Sequence, residues 1–207
     1  EIRTPLNGII GFTDLLMKTI LNNTQIQYMT MVNQSANTLL EIINEILDFS
    51  KIESGKLNLE IKRVNIRQIC KQIIDLIQFQ VTQKNIKMLL TIDPDIPKHI
   101  WIDSFRLKQI LVNLLTNAIK FTSVGEIELK IEQLSKLENN QIELRFAVRD
   151  TGVGIKEENQ GKIFEAFSQE DDSTTRRLGG TGLGLTISSK LLSLMNSKLS
   201  LKSKLHK

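Results

Sequence analysis

Cysteine is almost missing from this 207-residue chain: Cys70 stands alone, which excludes a disulfide framework and a thiolate metal site. Cys70 follows Ile69 and stands three residues before Ile73 in the apolar spacing of a helix, the setting of a buried thiol and not of a nucleophile. Histidine is nearly as scarce. His99 and His206 leave almost no material for an imidazole zinc site or a Ser-His-Asp triad. No uninterrupted apolar run reaches membrane-spanning length, no secretory signal opens the chain, and the first residue is Glu1. The segment is therefore expected to be soluble and cytoplasmic, without membrane contact, whether or not its parent protein is anchored. A net charge of +4, spread along the chain, gives little reason to expect nucleic acid as a partner. The basic stretch from Lys198 to Lys207 reads as a solvated tail.

What is present is globular in composition, with 41% hydrophobic and 24% charged residues. The length suits one ordinary domain plus a smaller helical module. Residues 1 to about 20 form an amphipathic run carrying Ile2, Leu6, Ile9 and Phe12. Asn22, Asn23 and Thr24 supply a turn and a cap. From 24 to 53, Met29, Val32, Ala36, Leu39, Ile43 and Ile46 step by threes and fours, a coiled-coil-like seam that Leu40 and Leu47 widen. Two such helices make a hairpin with more apolar surface than one pair can bury. A dimeric four-helix bundle solves this, with a hairpin packed on its own domain as the alternative.

After Ser54-Gly55 the pattern changes. Leu57, Leu59 and Ile61 alternate like a strand, and Asn65 can cap a helix from Ile66 to about Lys84. Short strands are expected at 86–92 and 100–102, around the turn Asp93-Pro94-Asp95, and Asp103 starts an apolar helix to about Ile119. Alternating strands at 126–132 and 141–149 flank a polar loop. Seven of the eleven glycines follow Asp150, and a last helix is expected from about Leu183 to Met195.

Three motifs carry chemistry. In NLLTNAIKFT, Asn113 and Asn117 are four apart and Lys120 three further on, so they share one helical face. Two amides and an ammonium on an otherwise apolar helix need a polar partner. Carboxamide oxygens can ligate Mg²⁺ and Lys120 can meet phosphates, although a hydrogen-bonded capping cluster uses the same residues. In RDTGVGI, Asp150 ends a strand where Gly152 and Gly154 let the backbone turn. Such a carboxylate can accept from an exocyclic amine, and ordinary turns use the same residues. In LGGTGLGLTIS, Gly180, Gly182 and Gly184 bring bare amides to a helix start, where phosphate is favoured. Between the last two motifs lies IFEAFSQEDDSTTRR. Its Ser168–Arg177 part reads as a lid anchored by Phe164 and Phe167, from which Arg176 or Arg177 can reach a triphosphate, or as a plain surface loop.

In this order and spacing the motifs resemble a sensor histidine kinase core, of the kind found in hybrid kinases that carry receiver domains. NLLTNAIKFT is similar to that family's asparagine box, DTGVGI to its first glycine box, IFEAF to its phenylalanine box and GGTGLGL to its second glycine box. The resemblance implies an α+β chain: residues 1–55 as a dimerisation and histidine-phosphotransfer hairpin, and 56–207 as an ATP-binding α/β sandwich with helices on one face of a mixed sheet. It implies ATP and Mg²⁺ as cofactors. Asn113 and Asn117 would lie at the metal, Lys120 and Phe121 along the pocket, and Asp150 on adenine. Gly152, Gly154, Ile163, Phe167, Arg176, Gly180, Thr181, Gly182, Leu183 and Gly184 would complete the ATP site. A homodimer and a response-regulator receiver domain are the implied partners.

Gyrase-type relatives place a glutamate where Asn113 stands, as a base that activates water. An amide cannot take that proton, which favours phosphotransfer over hydrolysis. The family's hairpin begins His-Glu-x-x-Thr-Pro-Leu, whereas this chain begins Glu1-Ile2-Arg3-Thr4-Pro5-Leu6. The resemblance thus implies a phospho-accepting histidine immediately before Glu1, Glu1 as its base, and Thr4 positioning water for phosphohistidine hydrolysis. Glu and Thr also suit a helix N-terminus for dipole and capping reasons alone. The chain is accordingly expected to be a fragment that binds ATP without autophosphorylating. Its C-terminal residues lack the family's usual closing hairpin, so the sheet is expected to lack its final strand. A nucleotide-binding dimerisation scaffold is the alternative function, and a gyrase-like ATPase a third.

Overall fold

The computed structural model describes residues 2–137, 141–167 and 181–205. The chain divides into two compact units, Glu1–Leu57 and Asn58–Lys207.

The first unit is a helical hairpin of α1 (Arg3–Met17) and α2 (Asn23–Glu53). Asn22 caps α2 in a reciprocal box: its side chain accepts the Gln25 N–H at 2.9 Å, and the Gln25 side chain accepts the Asn22 N–H at 2.9 Å. That arrangement stops the turn and sets where α2 starts. Across the hairpin Asn33 donates to Asp14 at 2.7 Å and Arg3 donates to Asn44 at 2.5 Å, so the helices run antiparallel. Leu6, Thr13 and Ala36 are buried between them. Val32, Leu39, Ile46 and Leu47 of the seam remain exposed within one chain.

The second unit is a mixed α/β sandwich. Strand β1 (Lys62–Asn65) pairs antiparallel with β3 (His99–Ile102). Strand β2 (Lys87–Ile92) runs parallel to β4 (Glu126–Lys136), which pairs antiparallel with β5 (Ile142–Asp150). On β4, Ile127, Leu129 and Ile131 point inward and are fully covered, while the intervening Glu126, Glu128, Lys130 and Glu132 face away. Helices α3 (Ile66–Gln83) and α4 (Ser104–Phe121) supply the rest of that core, from Ile66, Ile69, Cys70, Ile73, Ile77 and Val81 and from Leu107, Leu111, Leu115, Ala118 and Ile119. Fully burying each of these larger aliphatic side chains stabilises the fold by about 1.5–3 kcal/mol. Helix α5 (Gly184–Leu194) packs on α4 and buries Ile187 and Leu191.

Two expectations are corrected. The alternation at Leu57, Leu59 and Ile61 does not make a strand; ladder pairing starts at Lys62, because Asp103 intercepts the Glu60 N–H at 2.8 Å. The stretch from Lys198 is not a free tail as far as Leu205. Ser203 accepts the Ile155 N–H at 2.9 Å, and its carbonyl accepts from the Gln160 side chain at 3.1 Å. Its lysines reach solvent while the backbone is held, a division that charge counting does not reveal. The short 3₁₀ turns Glu157–Asn159 and Lys162–Phe164 carry no periodicity in the sequence.

Candidate nucleotide site

Helix α4 supplies the axis of the site. Asp103, almost fully buried, caps it by accepting the Arg106 N–H at 3.0 Å while its other oxygen holds Glu60. With its apolar stripe turned into the core, α4 leaves Asn113, Asn117, Lys120 and Phe121 half-buried along another side.

Asn113 is held from two directions. Its amide nitrogen donates to Ser188 Oγ at 2.9 Å, and its oxygen accepts from the Asn117 amide at 3.4 Å. The start of α5 comes so close that a β-carbon on Gly184 would run into Asn113 Oδ1 and lie 3.0 Å from its Cγ. Glycine is required there for packing. Among the described residues no donor reaches the Asn117 oxygen.

Lys120 places its ammonium 4.9 Å from the centroid of the Phe121 ring. Burial of this nitrogen pushes its pKa below that of an ordinary lysine, because the charged form gives up water. One residue further, the Phe121 carbonyl accepts the Val153 N–H at 3.4 Å, which brings the DTGVGI turn against the end of α4. Within that turn Asp150 Oδ1 accepts the Gly152 N–H at 2.8 Å. A β-carbon on Gly152 would sit 2.6 Å from the Phe121 oxygen, so the close approach depends on its absence. The second Asp150 oxygen lies on an exposed residue at the strand end. Gly154 has φ +75, and a side chain there would collide with the Lys204 carbonyl.

The third group surrounds the start of α5. Gly182 has φ +73, Leu183 is buried, and Thr181 Oγ1 accepts the Leu183 N–H at 3.1 Å. The N-cap residue Leu183 makes no side-chain cap, and the first amides of α5 carry the positive end of its dipole. The phenylalanine segment is tied to this point: Thr186 Oγ1 donates to the Phe164 carbonyl at 3.0 Å, and the Phe167 N–H donates to Gly182 O at 3.2 Å. Ile163 is half-buried and Phe167 exposed. Arg176 and Gly180 lie outside the described residues. So does Glu1 in the hairpin unit, where Thr4 occupies the exposed first turn of α1.

The structure therefore joins Asn113, Asn117 and Gly184 in one cluster, and Phe121, Asp150, Gly152 and Val153 in another, with Lys120 between them along α4. Ser188, Thr186, Ser203 and Lys204 also brace the site. Ser188 is legible in hindsight, four residues past Gly184 on the face of α5 that meets Asn113. The tail residues carry no such signal. Among the described residues no three His, Cys, Asp or Glu side chains gather around a cation position. A divalent ion here would rest on amide oxygen, water and phosphate, which suits Mg²⁺. The Asn117 oxygen fits that use better than the Asn113 oxygen, already bonded.

Residues 102–207 match the family described as histidine kinase-, DNA gyrase B- and HSP90-like ATPase. The chain belongs to this family. Residues 1–55 match the His Kinase A (phospho-acceptor) domain, the second part of a sensor histidine kinase core. Over 200 residues the chain is 44% identical to the signal transduction histidine-protein kinase BarA of Escherichia coli (strain K12), covering 97% of this chain and 22% of that protein. It is 43% identical over 199 residues to the sensor histidine kinase GacS of Pseudomonas protegens, covering 96% of this chain and 22% of the relative. The solved structure of full-length ShkA in complex with AMPPNP aligns with a TM-score of 0.77 and 34% identity, over 94% of this chain and 39% of that one. The chain thus spans about a fifth of the length of these curated histidine kinases. No helix among its described residues is long and apolar enough to cross a membrane.

Proposed function

We propose that this chain is the core of an ATP-dependent protein histidine kinase in a two-component phosphorelay. The second unit binds ATP with Mg²⁺, the γ-phosphate passes to a histidine preceding Glu1, and from there to an aspartate of a receiver domain. The observation that carries the reading is the state of Asn113. It is locked by Ser188, Asn117 and the start of α5, at the place where a hydrolytic relative needs a base. A hydrogen-bonded carboxamide takes no proton from water, so bound ATP keeps its γ-phosphate for an incoming nucleophile. A relative solved with AMPPNP supports nucleotide as the ligand.

The residues act by binding and orientation. Asp150 keeps one oxygen on Gly152 and offers the other to the exocyclic amine of adenine. Lys120, whose charged form burial disfavours, gains from a phosphate beside it. The uncapped amides of α5, with Thr181, Gly182, Leu183 and Gly184, receive the phosphate chain, and Gly154, Ile163, Phe167, Arg176 and Gly180 close the pocket. Mg²⁺, when bound, supplies charge neutralisation on the phosphates, with Asn117 and Asn113 as its protein neighbours. Glu1 orients the imidazole and takes up its proton as the ring nitrogen attacks phosphorus. The bond to the bridging oxygen breaks and ADP leaves. Thr4 positions water when the phosphohistidine is hydrolysed.

The exposed seam of Val32, Leu39, Ile46 and Leu47 supports a homodimer through the hairpin, where a second copy covers what one chain cannot. The test adds a single histidine before Glu1 and supplies γ-labelled ATP with Mg²⁺. Acid-labile label on the extended chain, and none on the chain as it stands, is the expected result; an unlabelled extended chain contradicts the proposal.

A further inference from the structure

We infer that Lys84 is a positioning residue for the nucleotide site, gathering the carbonyls at the C-terminal end of α4 and so fixing the backbone that presents Lys120 and Phe121. Lys84 ends α3, and the chain reverses at once through Asn85, whose φ is +53, into β2. From there its ammonium crosses to another element. It donates to Ile119 O at 2.6 Å, to Lys120 O at 3.2 Å and to Thr122 O at 3.4 Å.

The Ile119 and Lys120 oxygens belong to the last turn of a helix, where carbonyls have no acceptor role within the ladder and carry the negative end of the dipole, and Thr122 is the cap that follows. A primary ammonium has three protons and no acceptor, a good match to three converging carbonyls. The remaining oxygen of the run, that of Phe121, faces the other way. It accepts Val153 N–H and lies against Gly152. The four successive carbonyls thus divide, three to Lys84 and one to the turn that carries Asp150.

This division gives Lys84 leverage at a distance. Without the ammonium, the peptides at 119, 120 and 122 are free to tilt toward water, and the Phe121 carbonyl between them tilts too. The Asp150–Val153 turn then loses its seat beside α4, and Lys120 its fixed height above the phosphates. Nothing in this requires Lys84 to touch the ligand. The inference rests on the proposed nucleotide site, and its test separates the two.

Lys84→Met keeps the unbranched stem, one atom shorter, and removes the donors; Lys84→Arg keeps donors and charge. Each full chain is titrated with a non-hydrolysable ATP analogue and Mg²⁺ well below its unfolding temperature, and amide exchange is followed at Gly152 and Val153. Lys84→Met is expected to bind about tenfold more weakly, with faster exchange at both amides, and Lys84→Arg to stay within about threefold of the parent. Parent-like affinity in a folded Lys84→Met chain overturns the inference while leaving the site intact. Equal losses in both variants overturn it as well, since they indicate general disruption. A parent chain that binds no analogue refutes the nucleotide site itself, and the inference with it.

Discussion

Asn113 and Gly184 are in such close contact that the start of α5 has no room for a β-carbon beside the carboxamide. The helix that presents bare amides and the helix that presents the paired asparagines are held in register by this approach, with Ser188 bonding to Asn113 one turn later. The site is therefore preorganised by packing between α4 and α5, before any ligand arrives.

Gly184→Ala tests that directly. The added methyl must push Asn113 or the helix start aside, with a stability cost of about 1–3 kcal/mol. Thermal unfolding should show the loss, and affinity for the ATP analogue should fall by about tenfold or more in the fraction that remains folded.

Asp150→Asn separates turn geometry from recognition. Asparagine retains an oxygen for the Gly152 amide, so the turn persists and stability changes by less than about 1 kcal/mol. The acceptor offered to the adenine amine can then become a donor. Affinity for adenine nucleotide should drop by one to two orders of magnitude, roughly, while unfolding stays near that of the parent.

Cys70 predicts a pH dependence. Burial pushes its thiol up to about 11 from 9.0, so the folded state holds the proton more tightly than the unfolded chain. Stability from this group is therefore intact below pH 9 and lost as pH climbs toward 11, by about 2–3 kcal/mol in all. Subtracting the unfolding curves of Cys70→Ala from those of the parent across that window should isolate the slope. A difference that does not vary with pH contradicts it.

Lys120 gives a prediction of opposite kind. Its ammonium is weakened by lost hydration, and a phosphate placed beside it restores the charged form. Nucleotide binding at alkaline pH should thus take up protons, seen as binding heats that vary with the ionisation enthalpy of the buffer. Lys120→Met should remove the variation.

Much of this was legible in the sequence, for local reasons. The spacing of Asn113, Asn117 and Lys120 is set by helical period, and Asn22, Asn65 and Asp103 cap helices because short polar side chains reach back to backbone amides. Strand alternation at Ile127, Leu129 and Ile131 marked the buried face of β4. The misses are long-range. Whether Lys62 or Leu57 begins a strand depends on Asp103, some forty residues away, taking the Glu60 amide. Lys84 reads as an ordinary helix-ending lysine until folding brings three carbonyls to it. Ser203 gives no hint that it holds Ile155. Backbone contacts of this sort leave no periodic trace.

The most direct measurement is calorimetric titration of the folded chain with Mg²⁺ and a non-hydrolysable ATP analogue. Saturable binding of one nucleotide per chain, with no steady-state ATPase turnover when ATP is supplied instead, is what paired amides in place of a base predict. A folded sample that shows no heat of binding, or one that turns ATP over like a hydrolase, contradicts the account.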